Sequence, residues 1–129
     1  MVLSYAGFTT YLLFPAAPPW LAHEWGILSE TVTAKNFGHV ASTLMAASPN
    51  QVAAMPSLHM AFPTFIAAIG WWIWGRRSWP LLLIPPAVVF ATIYLGHHYV
   101  VDLIAGAAYG LLATLVARRW NTRLNHVTS

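Results

Sequence analysis

The chain has 129 residues, of which 58% are hydrophobic and only 7% charged, and its mean hydropathy is +0.61. A soluble domain carries about a quarter charged residues, so an ordinary cytosolic globule, a disordered tail and a nucleic-acid-binding arm are excluded. The net charge is +3 and there is no cysteine, which removes disulfide frameworks, thiolate metal sites and Cys nucleophiles. At roughly 20 residues per crossing, the length suits about four membrane helices and a loop. The expected fold is therefore an all-α integral membrane protein forming a single domain over residues 1–129.

In chain order, the first apolar stretch is residues 2–14. It is short and has no basic flank. It reads as a shortened crossing, or as one whose upstream part lies outside this sequence. A cleaved signal peptide fits less well, because Pro15-Ala16-Ala17-Pro18-Pro19 does not resemble a small-residue cleavage site. Residues 15–56 are the only mixed-polarity region and hold Glu24, Glu30 and Lys35. They are expected to form an extracytoplasmic loop with short surface helices near Leu28, Val32 and residues 37–45. Three uncharged or nearly uncharged stretches follow at 57–75, 79–96 and 99–117, of 18 or 19 residues each, and Asp102 is their one carboxylate. Each spans about 30 Å as a helix. Pro85-Pro86 is expected to kink the second of them.

Arg76 and Arg77 follow the first of these three helices; Arg118, Arg119 and Arg123 follow the third. In an up-down arrangement both sets fall on one side, which the positive-inside rule makes cytoplasmic. The opposite side then carries the 15–56 loop, the start of the 57–75 helix and the turn Gly96-His97-His98-Tyr99. Nearly every chemically capable residue lies on that side.

Asp102 is the first of these. A carboxylate one turn into a membrane helix costs about 2.5 to 3.5 kcal/mol on insertion scales and marks a functional site by default. His98 lies four residues earlier, so on a helix the two side chains share a face. A carboxylate on one ring nitrogen fixes the tautomer, raises basicity and leaves the other nitrogen aimed outward as nucleophile or base. A helix-end ion pair that only anchors the loop is the competing reading. His97 fits one helical turn to Asp102 less well than His98. His59 stands in the first turn of its own helix at the same membrane depth. Ser57 is the expected N-cap, and the Leu58 and His59 amides are among the free donors of that helix start, which suits an anion, phosphate above all. Pro63 gives no N–H to the His59 carbonyl and should loosen that turn. Two histidines, a carboxylate and a helix start on one face make a phosphoryl-transfer constellation; interfacial histidines satisfied by water are the plain alternative.

The stretch Ala54-Met55-Pro56-Ser57-Leu58-His59-Met60-Ala61-Phe62-Pro63 resembles the second signature of the type 2 phosphatidic acid phosphatase (PAP2) superfamily. Residues 94–106, YLGHHYVVDLIAG, resemble its third. Both are closer in form to the inositol phosphorylceramide synthase-like branch, as is Phe14-Pro15-Ala16-Ala17-Pro18-Pro19-Trp20. The resemblance covers about residues 8–117 and implies a truncated or minimal helical bundle of that kind, without metal or cofactor. It implies that His98 is the nucleophile that becomes phosphohistidine and that Asp102 orients it. His59 would be the general acid for the departing oxygen, and Ser57 a phosphate-contacting hydroxyl. Expected partners are a lipid phosphate substrate and membrane lipids; a homo-oligomer is allowed and no nucleic acid is expected.

The sequence departs from the family pattern in two places. The first signature, a Lys with six intervening residues before Arg-Pro, is absent: the sole lysine is Lys35. Ala91-Thr92 stands where Ser-Arg often opens the third signature. A transferring phosphoryl group calls for cationic partners, so that role falls to Lys35, to chain upstream, or goes unsupplied. A non-catalytic membrane scaffold or subunit that keeps the signatures is therefore the rival to a lipid phosphatase or phosphotransferase. A transition-metal site from His59, His97, His98 and Asp102 is the third reading. Gly106-x-x-x-Gly110 reads as a packing surface for a neighbouring helix.

Overall fold

The computed structural model describes residues 2–24, 26, 55–95 and 97–127. Lys35 and the surface helices expected between residues 28 and 45 lie outside the described residues. The regular elements among the described residues are all helical: α1 (Val2–Leu13), α2 (Pro19–Glu24), α3 (Leu58–Trp74), a 3-10 segment (Gly75–Leu83), α4 (Ile84–Tyr94) and α5 (Val100–Val127). The short α2 precedes those positions and is not among the helices expected from the sequence.

Two helical stretches among the described residues, Leu58–Tyr94 and Val100–Arg123, are long and apolar enough to cross a membrane. The expectation is about four; of the two that differ, α1 has only 12 residues, and the other is the second of the three long stretches. Residues 79–96 do not form one α-helix. They divide between the 3-10 segment and the 11-residue α4. Gly75, at φ +56°, closes α3, a conformation that only glycine adopts without strain. The chain then folds back, bringing the Leu81 side chain against Gly70. Pro85 and Pro86 fall in the first turn of α4, where the fixed φ of proline is already that of a helix. They start a helix rather than kinking one. The 3-10 rise of about 2.0 Å per residue lets this short return run alongside the 17-residue α3. Pro63, for its part, lies within α3, which runs through it unbroken.

Helices α3 and α5 form the principal packed pair. A Cβ on Gly106 would strike the Ser57 carbonyl, and one on Gly110 the Ala61 carbonyl, so backbone lies directly on backbone, as small residues permit between membrane helices. Buried hydroxyls in this apolar setting bond back to their own helix: Thr92 to the Val88 carbonyl at 2.7 Å and Thr114 to the Gly110 carbonyl at 3.0 Å. Helix α1 docks against the pair through Thr10, whose hydroxyl lies 2.7 Å from that of Tyr109. Phe90, Ile104, Leu112 and Val116 are exposed, an outward apolar surface that a water-soluble chain would not carry. At the far end, the Arg118 guanidinium sits 5.6 Å over the Trp72 ring. Helix α5 continues ten residues beyond the expected end at Ala117, carrying Arg118, Arg119 and Arg123 out past the apolar span.

Candidate active site

The return of the chain through α4 brings the 97–99 turn beside the start of α3. The His97 N–H donates to the Thr92 carbonyl at 2.9 Å, which fixes this turn onto the end of α4. His59 and His98, 39 residues apart, then meet: His59 Nδ1 lies 3.2 Å from His98 Nε2, with ring centroids 5.4 Å apart and planes at 60°. On the other side of the ring, His98 Nδ1 lies 3.7 Å from Asp102 Oδ2. Carboxylate, imidazole and imidazole are thus in a row. His98 and Asp102 are buried, Asp102 to 2% exposure, whereas His59 is exposed. The inner imidazole is shielded and the outer one is exposed.

His98 does not stand on the helix with Asp102, as the four-residue spacing suggested. Helix α5 begins at Val100, and His98 precedes it. Asp102 explains that start: its Oδ2 accepts the Tyr99 N–H at 3.0 Å, one half of a capping box in which the third helical residue reaches back to the cap. The carboxylate therefore caps the helix and faces the imidazole at once. A second tie is in the backbone, where the Ser57 N–H donates to the Asp102 carbonyl at 3.0 Å. It joins the start of α3 directly to the first turn of α5.

Ser57 is the residue before α3, in extended conformation, but its side chain makes no capping bond. Its carbonyl receives the Met60 and Ala61 N–H groups. Its hydroxyl is fully buried with no hydrogen-bond partner among the described residues, a condition that costs about 1–3 kcal/mol and that a ligand oxygen would relieve. Leu58 opens α3. Lys35 is outside the described residues. The described arginines belong to the 3-10 segment and to the far end of α5, away from the histidines. Among the described residues no group of three or more His, Cys, Asp or Glu could hold a metal ion. His97 is close enough to be affected by its neighbour: burial, then the positive charge of His59, lowers its pKa from the usual 6.5.

A residue the sequence reading did not single out completes the site. Tyr11 of α1 is buried and donates its hydroxyl to the Pro56 carbonyl at 2.8 Å. A buried tyrosine in an apolar helix needs a partner for its hydroxyl, which is the one signal the sequence offered.

An apolar helical chain holding a carboxylate-backed histidine pair at one end of a helix pair is a membrane protein with a site suited to phosphoryl chemistry. Residues 1–116 match the PAP2 superfamily, and the chain belongs to that superfamily, in keeping with the two signatures. It is 30% identical over 124 residues to the phosphoinositol dihydroceramide synthase of Bacteroides thetaiotaomicron. That match covers 84% of this chain and 40% of the relative, so the chain spans about two fifths of the relative's length. No solved structure matches the chain.

Proposed function

We propose that this protein is a membrane-embedded lipid phosphatase or phosphotransferase working through a phosphohistidine, with its site on the extracytoplasmic face. The row Asp102–His98–His59 carries the proposal. With the Nδ1 proton of His98 directed at the Asp102 carboxylate, Nε2 presents a lone pair, which the His59 Nδ1–H covers at 3.2 Å in the ligand-free site. A substrate phosphorus takes the place of that contact. Nε2 attacks the phosphorus, the phosphorus–oxygen bond to the lipid alcohol breaks, and exposed His59 delivers its proton to the departing oxygen. The cation formed on His98 is balanced by Asp102. His59, now neutral, removes the proton of water or an acceptor hydroxyl, which attacks phosphorus and releases His98. The Ser57 hydroxyl and the Leu58 amide hold non-bridging oxygens, and Lys35 is the candidate cation.

Similarity to a phosphoinositol dihydroceramide synthase favours transfer of a phosphoinositol head group over hydrolysis. The test is the purified protein in lipid vesicles, offered phosphatidic acid in one arm and a phosphoinositol lipid with dihydroceramide in the other. Phosphate release or head-group transfer, together with an acid-labile, alkali-stable phosphoenzyme lost in His98→Ala, is the expected result. Turnover unchanged in His98→Ala would refute the reading. A silent scaffold is the second reading, favoured by the placement of every described arginine away from the histidines. It predicts neither turnover nor phosphoenzyme from either donor.

A further inference from the structure

We propose that Tyr11 is a positioning residue that holds the phosphate-contacting segment Pro56-Ser57-Leu58 in register with His98, so that α1 is part of the working site and not only of the bundle. The inference rests on the functional reading above. Three separate contacts point the same way. The Tyr11 hydroxyl donates to the Pro56 carbonyl at 2.8 Å across 45 residues of sequence. One turn earlier, Gly7 lies so close to the Leu58 side chain that an added Cβ would come within 2.7 Å of its Cδ2. From the opposite side the Ser57 N–H is fixed to the Asp102 carbonyl. Ser57 is thus clamped between α1 and α5, and its unpartnered hydroxyl is aimed by groups that never meet the substrate themselves.

Tyr11→Phe keeps the ring and removes only the bond. The expected result, with phosphatidic acid vesicles as probe, is a kcat about tenfold lower at little change in KM. Ser57→Ala should be lower still, and the double variant no worse than Ser57→Ala alone, because Tyr11 acts through Ser57. Thr10→Val, which breaks the α1–α5 tie to Tyr109 and leaves Pro56 alone, should lower thermal stability with kcat unchanged. Equal kcat losses in Thr10→Val and Tyr11→Phe, or multiplicative losses in the double variant, would overturn the inference. They would mean that α1 docking, not aim, is what matters. A 3-fluorotyrosine at position 11 gives a readout that needs no disruptive variant. Its fluorine resonance should shift when orthovanadate is added, and an unmoved resonance in a vanadate-inhibited protein would also overturn the proposal. A wild-type protein silent towards both donors would instead remove the functional reading, and this inference with it.

Discussion

At the residue scale, Asp102 performs two jobs that one substitution can separate. Its Oδ2 accepts the Tyr99 N–H and faces His98 Nδ1. An asparagine oxygen still accepts from an amide, so Asp102→Asn keeps the helix start but removes the negative charge opposite an imidazole that becomes cationic in the proposed reaction. The variant should accumulate in membranes as the wild type does while turnover falls about a hundredfold or more; wild-type turnover would leave Asp102 with the capping role alone. His97 gives a prediction of a different kind. Its folded pKa lies below the usual 6.5, so between those two values the unfolded chain binds more protons than the folded one. Stability is then fully present above pH 6.5 and falls as the pH drops from there towards the lower folded value. Thermal unfolding in detergent should show this acid-side loss, and His97→Gln should flatten it. A wild-type profile that is flat over that range would contradict it.

At the scale of elements, the glycines of α5 and α3 look alike in sequence and differ sharply in what surrounds them. A Cβ on Gly106 meets the Ser57 carbonyl, which is backbone and cannot give way, whereas one on Gly70 meets the end of the Leu81 side chain, which can rotate. Gly106→Ala should therefore push α5 off α3, cost about 1–3 kcal/mol and separate His98 from His59, with turnover lost. Gly70→Ala should be tolerated on both counts; equal penalties for the two would remove the close-packing explanation. Much of the site was legible without coordinates: the His59 and His98 signatures, the carboxylate behind His98 and the Gly106–Gly110 surface are all local patterns of charge, spacing and small residues. What the sequence could not show came from contacts between distant segments. Tyr11 finds its partner 45 residues away. Residues 75–83 adopt a 3-10 path because of how Gly75 ends one helix and Leu81 folds back on Gly70. Pro85-Pro86 reads equally well as a kink or as a helix start, and only the place where α4 begins decides between them. The His98–Asp102 spacing fitted a helix, yet the carboxylate cap at Tyr99 starts the helix after His98.

At the scale of the whole molecule, charge and chemistry lie at opposite ends of α5. From Tyr99 to Arg123 the chain rises about 36 Å at 1.5 Å per residue, more than the roughly 30 Å of a hydrocarbon core. Along the way Ile104, Leu111, Leu115 and Val116 are exposed and suit lipid contact. Arginines at one end, with Trp72 under Arg118, match the basic and aromatic anchoring of a cytoplasmic interface. The proposed function places the histidine end in the other compartment. The absence of cysteine makes this directly measurable, because a single introduced thiol is the only one to label. Tyr99→Cys keeps the backbone N–H that Asp102 accepts and sits at an exposed position, as does Arg123→Cys. In sealed right-side-out vesicles, a membrane-impermeant maleimide should label position 99 at once and position 123 only after the membrane is opened. Labelling of both from the outside would show that α5 does not cross; the reverse pattern would place the histidines in the cytoplasm, where the arginines would then have to be drawn outward against the charge asymmetry that orients membrane helices.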